Sequence, residues 1–222
     1  MRIAENILKH SLKNVLFLTG TPCGGKTTMA KALCKKYGFY HFNDNWHEDN
    51  FQTWLSLIDP EYQKRAYERQ RVTDWEAWFG RSVEEFLEYR AGYTEDDEYY
   101  EFAVIELIKL SQTQTVVADV CMRFELLAQL TDYNRLACLL APPELVIRDY
   151  YDREDHREFI ECIRRLKNPE EKIATQNKLF EISVNKASSD AEKYGFFTIV
   201  RTENSTVENT FHQLERHFGL IS

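Results

Sequence analysis

Five short apolar runs alternate along the chain with longer segments of helical periodicity. The runs are residues 14–19 (NVLFLT), 39–42 (FYHF), 115–120 (TVVADV), 135–140 (RLACLL) and 196–200 (FFTIV). Their β-branched and apolar side chains are typical of strands that are covered on both faces. Strands separated by helices predict an α/β fold with a doubly wound, five-stranded parallel sheet.

The first run leads directly into a helix. It ends at Gly20, and residues 27–36 then place Met29, Ala30, Leu33 and Cys34 at helical spacing. Gly38 is expected to stop that helix. The segment therefore predicts a strand, a glycine-containing loop and a helix in succession.

Two further helical segments interrupt the alternation. Residues 45–114 contain three capping-box patterns, Thr73 with Glu76, Ser82 with Glu85 and Thr94 with Asp97, which predict a helical insert. Residues 143–187 follow Pro142, begin at Pro143 and are charged through most of their length. This second segment has the character of a lid on a single domain of residues 1–222.

Composition and charge narrow the possible partners. The 222 residues are 43% hydrophobic, and the formal net charge of −8 argues against binding a nucleic-acid polymer, which requires clustered Lys and Arg. The five cysteines are scattered without CxxC spacing, so we expect a reducing, cytoplasmic environment. We find no export signal and no membrane-spanning run. Nothing in the sequence indicates an oligomeric state.

The loop after the first run carries the most specific motif. Its sequence GTPCGGKT fits G-x-x-x-x-G-K-[ST] at Gly20, Gly25, Lys26 and Thr27. Glycines let backbone N–H groups face a triphosphate, lysine spans the β- and γ-phosphates, and the threonine hydroxyl binds Mg²⁺. We therefore predict ATP and Mg²⁺ as cofactors, and an ordinary Gly-rich turn is the alternative. The predicted nucleotide-binding residues are Gly20, Thr21, Pro22, Cys23, Gly24, Gly25, Lys26, Thr27 and Thr28.

Two residues near this loop have more than one interpretation. Asp119 ends the run TVVAD, where a carboxylate beside the loop is suited to hold Mg²⁺ together with Thr27, although acidic residues also simply begin loops. Cys23 occupies a variable loop position, where packing is the first interpretation and a redox switch the second.

The order of these features resembles the adenylate kinase and shikimate kinase group of P-loop kinases over nearly the whole chain. Nucleotide kinases of that group continue the third strand as D-G-F-P-R, and residues 119–123 read D-V-C-M-R. Asp119 and Arg123 keep that spacing, while the glycine and proline are missing. The resemblance implies that Arg123 meets an acceptor phosphate, and a solvated helix-start arginine is the alternative.

The second run ends beside a candidate acceptor site. Kinases of this superfamily place a carboxylate there to receive the acceptor's hydroxyl proton, which implies this role for Asp44. The alternative is an aspartate in a turn. The local sequence HFNDNWHED also resembles a group of uncharacterised P-loop kinase-like proteins. Trp46 is a candidate for stacking on the acceptor, with core packing as its alternative.

The predicted helical insert is acidic, and this charge affects which acceptors it could bind. Residues 47–101 contain 15 acidic residues against 6 Lys and Arg, a balance that disfavours a strongly anionic acceptor unless Arg71 and Arg81 compensate. Solvated helices have the same composition. The charge favours a neutral or weakly charged acceptor.

The lid-like segment offers arginines for the phosphates. In adenylate and shikimate kinases, lid arginines close over ATP, and their usual spacing of four matches Arg153 and Arg157. Either residue is alternatively a surface charge of a helix. The turn at residues 201–204 follows the last strand, where such kinases hold adenine through backbone contacts, so the identity of its side chains says little about binding.

Together these features predict an ATP-dependent phosphotransferase. Lys26, Asp44, Arg153 and Arg157 are the predicted catalytic residues, and the γ-phosphate of ATP passes to a small nucleoside, nucleotide, shikimate-like or other hydroxyl compound. Two alternatives stay open. One is an ATP-binding switch that acts on protein partners without an acceptor, and the other is a P-loop protein that has lost turnover.

Overall fold

The computed structural model describes residues 3–43, 53, 72–94 and 97–221. A five-stranded sheet lies at the centre of this part of the chain, with the order β2-β3-β1-β4-β5 and four parallel pairings. The predicted doubly wound, parallel α/β sheet is confirmed. The strands are β1 Val15–Gly20, β2 Tyr40–Asn43, β3 Val116–Asp119, β4 Leu136–Leu140 and β5 Phe197–Val200.

Ten helices surround the sheet in the described ranges. They are α1 Glu5–Ser11, α2 Lys26–Tyr37, α3 Trp75–Phe79, α4 Val83–Thr94, α5 Asp97–Ser111, α6 Phe124–Leu130, α7 Pro143–Tyr150, α8 Arg157–Arg164, α9 Pro169–Lys193 and α10 Val207–His217. Short 3-10 turns at Tyr133–Arg135 and Glu154–His156 complete the elements. None of the helices described here has the length and apolar composition needed to cross a membrane.

Alternation along the strands builds a core on each face of the sheet. Phe17 and its same-face neighbours pack with Leu107 and Leu127 of α5 and α6. Leu18, on the opposite face, packs with Leu33 of α2 and Leu214 of α10. Because successive side chains of a strand point to opposite faces, a continuous apolar run supplies both cores.

Local signals set several helix ends. Gly38 ends α2 with φ +71°, and its N–H donates to Cys34 O, as predicted for a helix stop. The Ser82–Glu85 capping box is also confirmed. Ser82 N–H donates to Glu85 Oε2 at 2.7 Å, and Glu85 N–H donates to Ser82 Oγ at 3.1 Å.

The predicted box of Thr73 with Glu76 is wrong. Asp74 is the N-cap of α3, and its carboxylate accepts from Ala77 N–H at 2.9 Å. Glu76 instead accepts from the backbone N–H of Lys167, because α3 begins one residue later than the pattern requires. The third predicted pair, Thr94 with Asp97, involves side chains outside those described.

Helices of the predicted insert and of the predicted lid share one apolar cluster. Phe79 and Phe86 from residues 45–114 are buried against Ile163 and Leu179 from residues 143–187. Closer to the sheet, Val184 of α9 packs with Leu145 and Val146 of α7. The long helix α9 therefore connects the insert to the sheet-facing core. The assignment of these segments as acceptor insert and lid stays a prediction.

Candidate nucleotide-binding site

The loop between β1 and α2 is held against the end of β4. Thr21 N–H donates to Leu139 O at 3.1 Å, and Thr21 Oγ1 accepts from Ala141 N–H at 2.7 Å. A Cβ added at Gly20 or Gly24 would lie 2.0 or 2.2 Å from Leu139 O. The close approach of loop and strand therefore requires glycine at both positions.

Lys26 begins α2 and reaches back over the loop. Its ammonium donates to Thr21 O at 3.0 Å and to Gly20 O at 3.5 Å. The first N–H groups of α2 lie at the same place, and the positive end of the helix dipole points out of the loop. The loop thus combines backbone donors with a lysine, which is the arrangement that binds phosphate in a P-loop.

Thr27 and Asp119 meet beside this loop. Thr27 Oγ1 donates a hydrogen bond of 2.6 Å to Asp119 Oδ2. Asp119 is only 3% exposed, and its other oxygen, Oδ1, has no hydrogen-bond partner in the described structure. The β1–β3 pairing, which aligns Leu18 with Asp119, brings the two side chains to one edge of the sheet.

Their chemistry fits a magnesium ion. Mg²⁺ prefers oxygen ligands and keeps phosphate oxygens and water in most of its six positions. A hydroxyl, a carboxylate and one buried carboxylate oxygen without a partner supply what the protein has to provide at such a site. Within the described ranges no group of three or more His, Cys, Asp and Glu side chains is placed to hold a metal by itself.

His41 is a neighbour of this pair that the sequence did not single out. Its Nε2 lies 3.8 Å from Asp119 Oδ2 and makes no hydrogen bond in the described part of the chain. The residue sits in the apolar run FYHF of β2, which pairs with β3. A histidine inside the apolar run FYHF is the one signal in the sequence that could have identified it.

Arg201 forms a wall opposite the loop. Its Nη1 donates to Cys23 O at 2.9 Å, and its Nη2 lies 2.9 Å from Asp149 Oδ2. Hydrogen bonds from Arg148 in the first place, and the charge of Arg201, hold the pKa of Asp149 below its ordinary value. The guanidinium of Arg201 therefore links the turn after β5 to the loop between β1 and α2, and the predicted adenine contacts of residues 201–204 stay a prediction.

The loop and this wall enclose a cleft of about 610 Å³. That volume is within the range of small-molecule sites. Arg153 and Asp149 line one side, and Ile199 and Val207 give the cleft an apolar patch near the end of β5. The predicted nucleotide-binding residues from Thr21 to Thr28 all line it.

Cys23 has the environment of a packed side chain. It adopts φ +58° and lies against the apolar cluster that contains Leu145 and Val146. Burial raises the pKa of its thiol, although the nearby charges of Arg153 and Arg201 act in the opposite direction. Because a reactive cysteine needs a lowered pKa, the packing interpretation is favoured over a redox switch.

The arginines that the sequence predicted for the site do not all line the cleft. Arg153 lines the cleft and hydrogen bonds to Cys23, whereas the exposed Arg157 begins α8 and is not part of the cleft lining. Arg81 lies over the rings of Trp78 and Tyr89, at 4.6 and 4.9 Å from their centroids.

Of the other predicted acceptor residues, only Arg123 lies in the described part of the chain. Arg123 borders a different cavity, of about 640 Å³, between α1, α5 and α6. Asp44, Trp46 and Arg71 lie outside the described residues. The acceptor roles of these four residues stay predictions.

Comparisons with known proteins give a likeness in fold. No protein-family model and no curated protein matches the chain. A structure of shikimate kinase from Acinetobacter baumannii in complex with shikimate is 18% identical, covers 93% of each chain and has a TM-score of 0.47. Dephospho-CoA kinase from Campylobacter jejuni is 15% identical over 94% of this chain and 99% of its own, with a TM-score of 0.44. At these values the likeness carries no conclusion about activity.

Proposed function

We propose that this protein is an ATP-dependent phosphotransferase that moves the γ-phosphate of ATP to a hydroxyl group of a small molecule. The observation that carries the proposal is the contact between Thr27 and Asp119 beside the phosphate-binding loop. A binding loop for a simple anion requires only N–H groups and a lysine. A hydroxyl and a buried carboxylate beside them add the ligands for the metal of a nucleoside triphosphate.

Each group of the loop has a role in the proposed reaction. Backbone N–H groups and Lys26 bind the β- and γ-phosphates and stabilise the charge that develops on the leaving ADP. Thr27 and Asp119 would hold Mg²⁺, which neutralises the phosphate oxygens when bound. Arg153 lies on the cleft wall next to Cys23, which supports a role in stabilising the transferring phosphoryl group.

The transfer itself needs no covalent intermediate with the protein. The acceptor oxygen forms a bond to the γ-phosphorus while the bond to the β,γ-bridging oxygen breaks, and ADP leaves with the electron pair. The hydroxyl proton of the acceptor passes to a base, for which Asp44 stays the predicted residue. Positioning and charge stabilisation are therefore the contribution of the protein.

Measuring ATP consumption with and without candidate acceptors tests this proposal. The acceptor panel contains nucleosides, nucleotides, shikimate, sugars and aminoglycosides, and product phosphorylation is followed by mass spectrometry. We expect at least one acceptor to stimulate ATP turnover and to gain a phosphate. Slow hydrolysis that no acceptor changes would favour the ATP-binding switch, and ATP binding without any turnover would favour a P-loop protein that has lost catalysis.

A further inference from the structure

Two buried polar atoms beside the predicted magnesium site have no hydrogen-bond partner among the described residues. They are His41 Nε2 and Asp119 Oδ1. The side chain of His41 is 17% exposed and that of Asp119 is 4% exposed. Folded proteins pair the great majority of their buried polar groups, because an unpaired group has lost its water without a replacement. The two atoms belong to neighbouring side chains, which favours an interaction between those side chains.

The sheet itself brings His41 to Asp119. The β2–β3 pairing aligns His41 with Val117 and Asn43 with Asp119, so the histidine lies two residues back from the carboxylate on the adjacent strand. Because side chains alternate along a strand, His41 and Asp119 point to the same face of the sheet. Val117 packs on this face with Leu33 of α2. The imidazole therefore lies in the layer between the sheet and α2, where Thr27 also meets Asp119.

Asp119 accepts few hydrogen bonds for a buried carboxylate. Within the described ranges its one donor is Thr27 Oγ1, at 2.6 Å from Oδ2. An ionised carboxylate has about four acceptor positions, and a buried charge is costly unless donors or opposite charges surround it. His41 Nε2 lies 3.8 Å from Oδ2. This is about 0.6 Å beyond the longest ordinary N–H···O distance, a gap that a small rotation of the imidazole closes.

The contact favours one tautomer of His41. A neutral imidazole has one N–H donor and one acceptor nitrogen. An acceptor nitrogen at Nε2 would place its lone pair against those of the Asp119 oxygens, so the proton is favoured on Nε2. In this form His41 is a donor to the carboxylate and adds no charge to the site.

We propose that His41 is a positioning residue of the magnesium site: its Nε2–H donates to the carboxylate of Asp119 and holds it in the orientation that binds Mg²⁺ together with Thr27. His41 does not line the cleft and acts through Asp119. Loss of a partner that orients a metal ligand typically weakens metal binding about 10- to 100-fold. The inference rests on the binding of Mg²⁺ and nucleotide that the proposed function requires, but not on phosphoryl transfer to an acceptor.

Equilibrium binding of a non-hydrolysable ATP analogue to the full chain tests this inference. Calorimetry gives its Kd in excess Mg²⁺ and in EDTA, and the ratio of the two values measures what the metal contributes. His41→Leu removes the N–H and keeps most of the volume. It is expected to reduce that ratio about tenfold and to leave the Kd in EDTA within about twofold. An unchanged ratio, or a wild-type Kd that does not depend on Mg²⁺, would overturn the proposal.

Two further variants separate positioning from a structural role. His41→Gln restores a donor, because the side-chain amide of glutamine reaches the position of the imidazole Nε2, and should keep the ratio within about threefold of the wild type. His10→Leu makes the same change as His41→Leu at an exposed residue of α1 and should alter neither Kd nor Tm. A lowered Tm for His41→Leu with equal losses of affinity in Mg²⁺ and in EDTA would show a structural role and count against the proposal.

A double-mutant cycle shows whether His41 acts through the carboxylate. Asp119→Asn keeps the shape of the side chain and removes its charge. In that background His41→Leu is expected to change the Mg²⁺ ratio less than about twofold, because the group that it orients is gone. A tenfold effect in both backgrounds would mean that His41 acts independently of Asp119, and the proposal would fail.

Nitrogen NMR of the histidine rings reads the tautomer without any nucleotide. The His41 signals, assigned by their loss in His41→Leu, are expected to show a protonated Nε2 in the free protein. A ring whose Nε2 carries no proton cannot donate to Asp119, so that result would overturn the proposal even if the variants bind Mg²⁺ less well.

The outcomes also distinguish this inference from the proposed function. If Mg²⁺ strengthens binding of the analogue, His41→Leu reduces that effect, and no acceptor gains a phosphate, the positioning role stands and the transferase function fails. If an acceptor gains a phosphate and His41→Leu leaves the Mg²⁺ ratio unchanged, the function stands and this inference fails.

Discussion

Thr27 Oγ1 donates a hydrogen bond of 2.6 Å to Asp119 Oδ2, a contact between residues 92 positions apart that joins the start of α2 to the end of β3. A parallel pairing of β1 and β3 makes this contact possible, because it ends both strands at the same edge of the sheet. The testable consequences begin with this pair.

Removing the Thr27 hydroxyl should weaken the binding of Mg²⁺. Thr27→Ala is expected to reduce ATP turnover by about a hundredfold and to raise the Mg²⁺ concentration required for half-maximal rate, because one ligand of the ion is lost. Thr27→Ser keeps the hydroxyl and is the matched control, expected to stay within several-fold of the wild type. A Mg²⁺ titration of turnover that is the same for all three proteins would contradict the metal role.

Lys26 should matter more for turnover than for folding. Lys26→Ala removes the charge that bridges the β- and γ-phosphates, at a cost of about 2 to 4 kcal/mol of transition-state stabilisation. We expect about a hundredfold or greater loss of turnover with Tm little changed, since the hydrogen bonds of the ammonium within the described residues go to two carbonyls of the adjacent loop. Steady-state kinetics and thermal unfolding measure both, and near-normal turnover would contradict the phosphate-binding role of the loop.

Arg201 should support nucleotide binding through the loop. Arg201→Ala breaks the bonds to Cys23 O and Asp149, so the apparent Kd for ATP is expected to rise about tenfold. Arg148→Ala is the control, because the bonds of Arg148 among the described residues go to Asp149 and Glu203 at the surface, and the variant should change the Kd less than about threefold. Equal effects of the two variants in calorimetry would show that Arg201 acts only as one of several surface charges.

The predicted lid should respond to nucleotide in only part of its length. Val184 and Ala191 anchor the C-terminal half of α9 in the sheet-facing cores, so this half is expected to be protected from hydrogen exchange with or without nucleotide. Residues 151–168 should gain protection when a non-hydrolysable ATP analogue and Mg²⁺ bind. Equal protection of residues 151–168 before and after the analogue binds would contradict the lid prediction.

Arg153 and Arg157 should differ although both are exposed arginines four residues apart. Arg153→Ala is expected to slow transfer at least about tenfold and weaken ATP binding less, because its charge acts on the phosphoryl group as it departs. Arg157→Ala is the internal comparison, expected to act weakly since its side chain is not part of the cleft lining. Normal phosphoryl transfer by the Arg153 variant would contradict a role for Arg153 in the site.

Glu215 should contribute stability that is lost only in strong acid. It is fully buried, and hydrogen bonds from Lys36 first and then Tyr37 lower its pKa from an ordinary value of 4.5 to about 2. A lowered folded-state pKa means that the unfolded chain binds the proton first as pH falls. The contribution is therefore complete above the unfolded pKa and disappears as pH approaches 2.

Thermal unfolding of Glu215→Gln between pH 2 and 7 measures this contribution. The difference in Tm from the wild type should be largest above about pH 5 and should shrink toward pH 2. Glu208→Gln changes an exposed carboxylate of the same helix and should show little pH-dependent difference. A Tm difference for Glu215→Gln that does not vary with pH would show that shape, not charge, is what the residue contributes.

Much of the fold and the centre of the site could be predicted from the sequence because their causes are local. Apolar runs of strand length define the five strands, Gly38 ends its helix, and the Ser82–Glu85 box starts another, each through bonds within a few residues. The predicted nucleotide-binding loop is likewise a contiguous segment. The pairing of Thr27 with Asp119 is one step less local, and it follows from the parallel topology that the run pattern predicts.

Only the tertiary structure decided which distant side chains meet. Arg201 reaches Cys23 O across 178 positions, and Lys36 and Tyr37 both bond to the buried Glu215. The hydrophobic periodicity of a helix predicts which of its faces is buried, but not which residues bury that face. Which residues meet depends on how all the helices pack against the sheet together, and this packing depends on the length of each helix and the volume of its side chains.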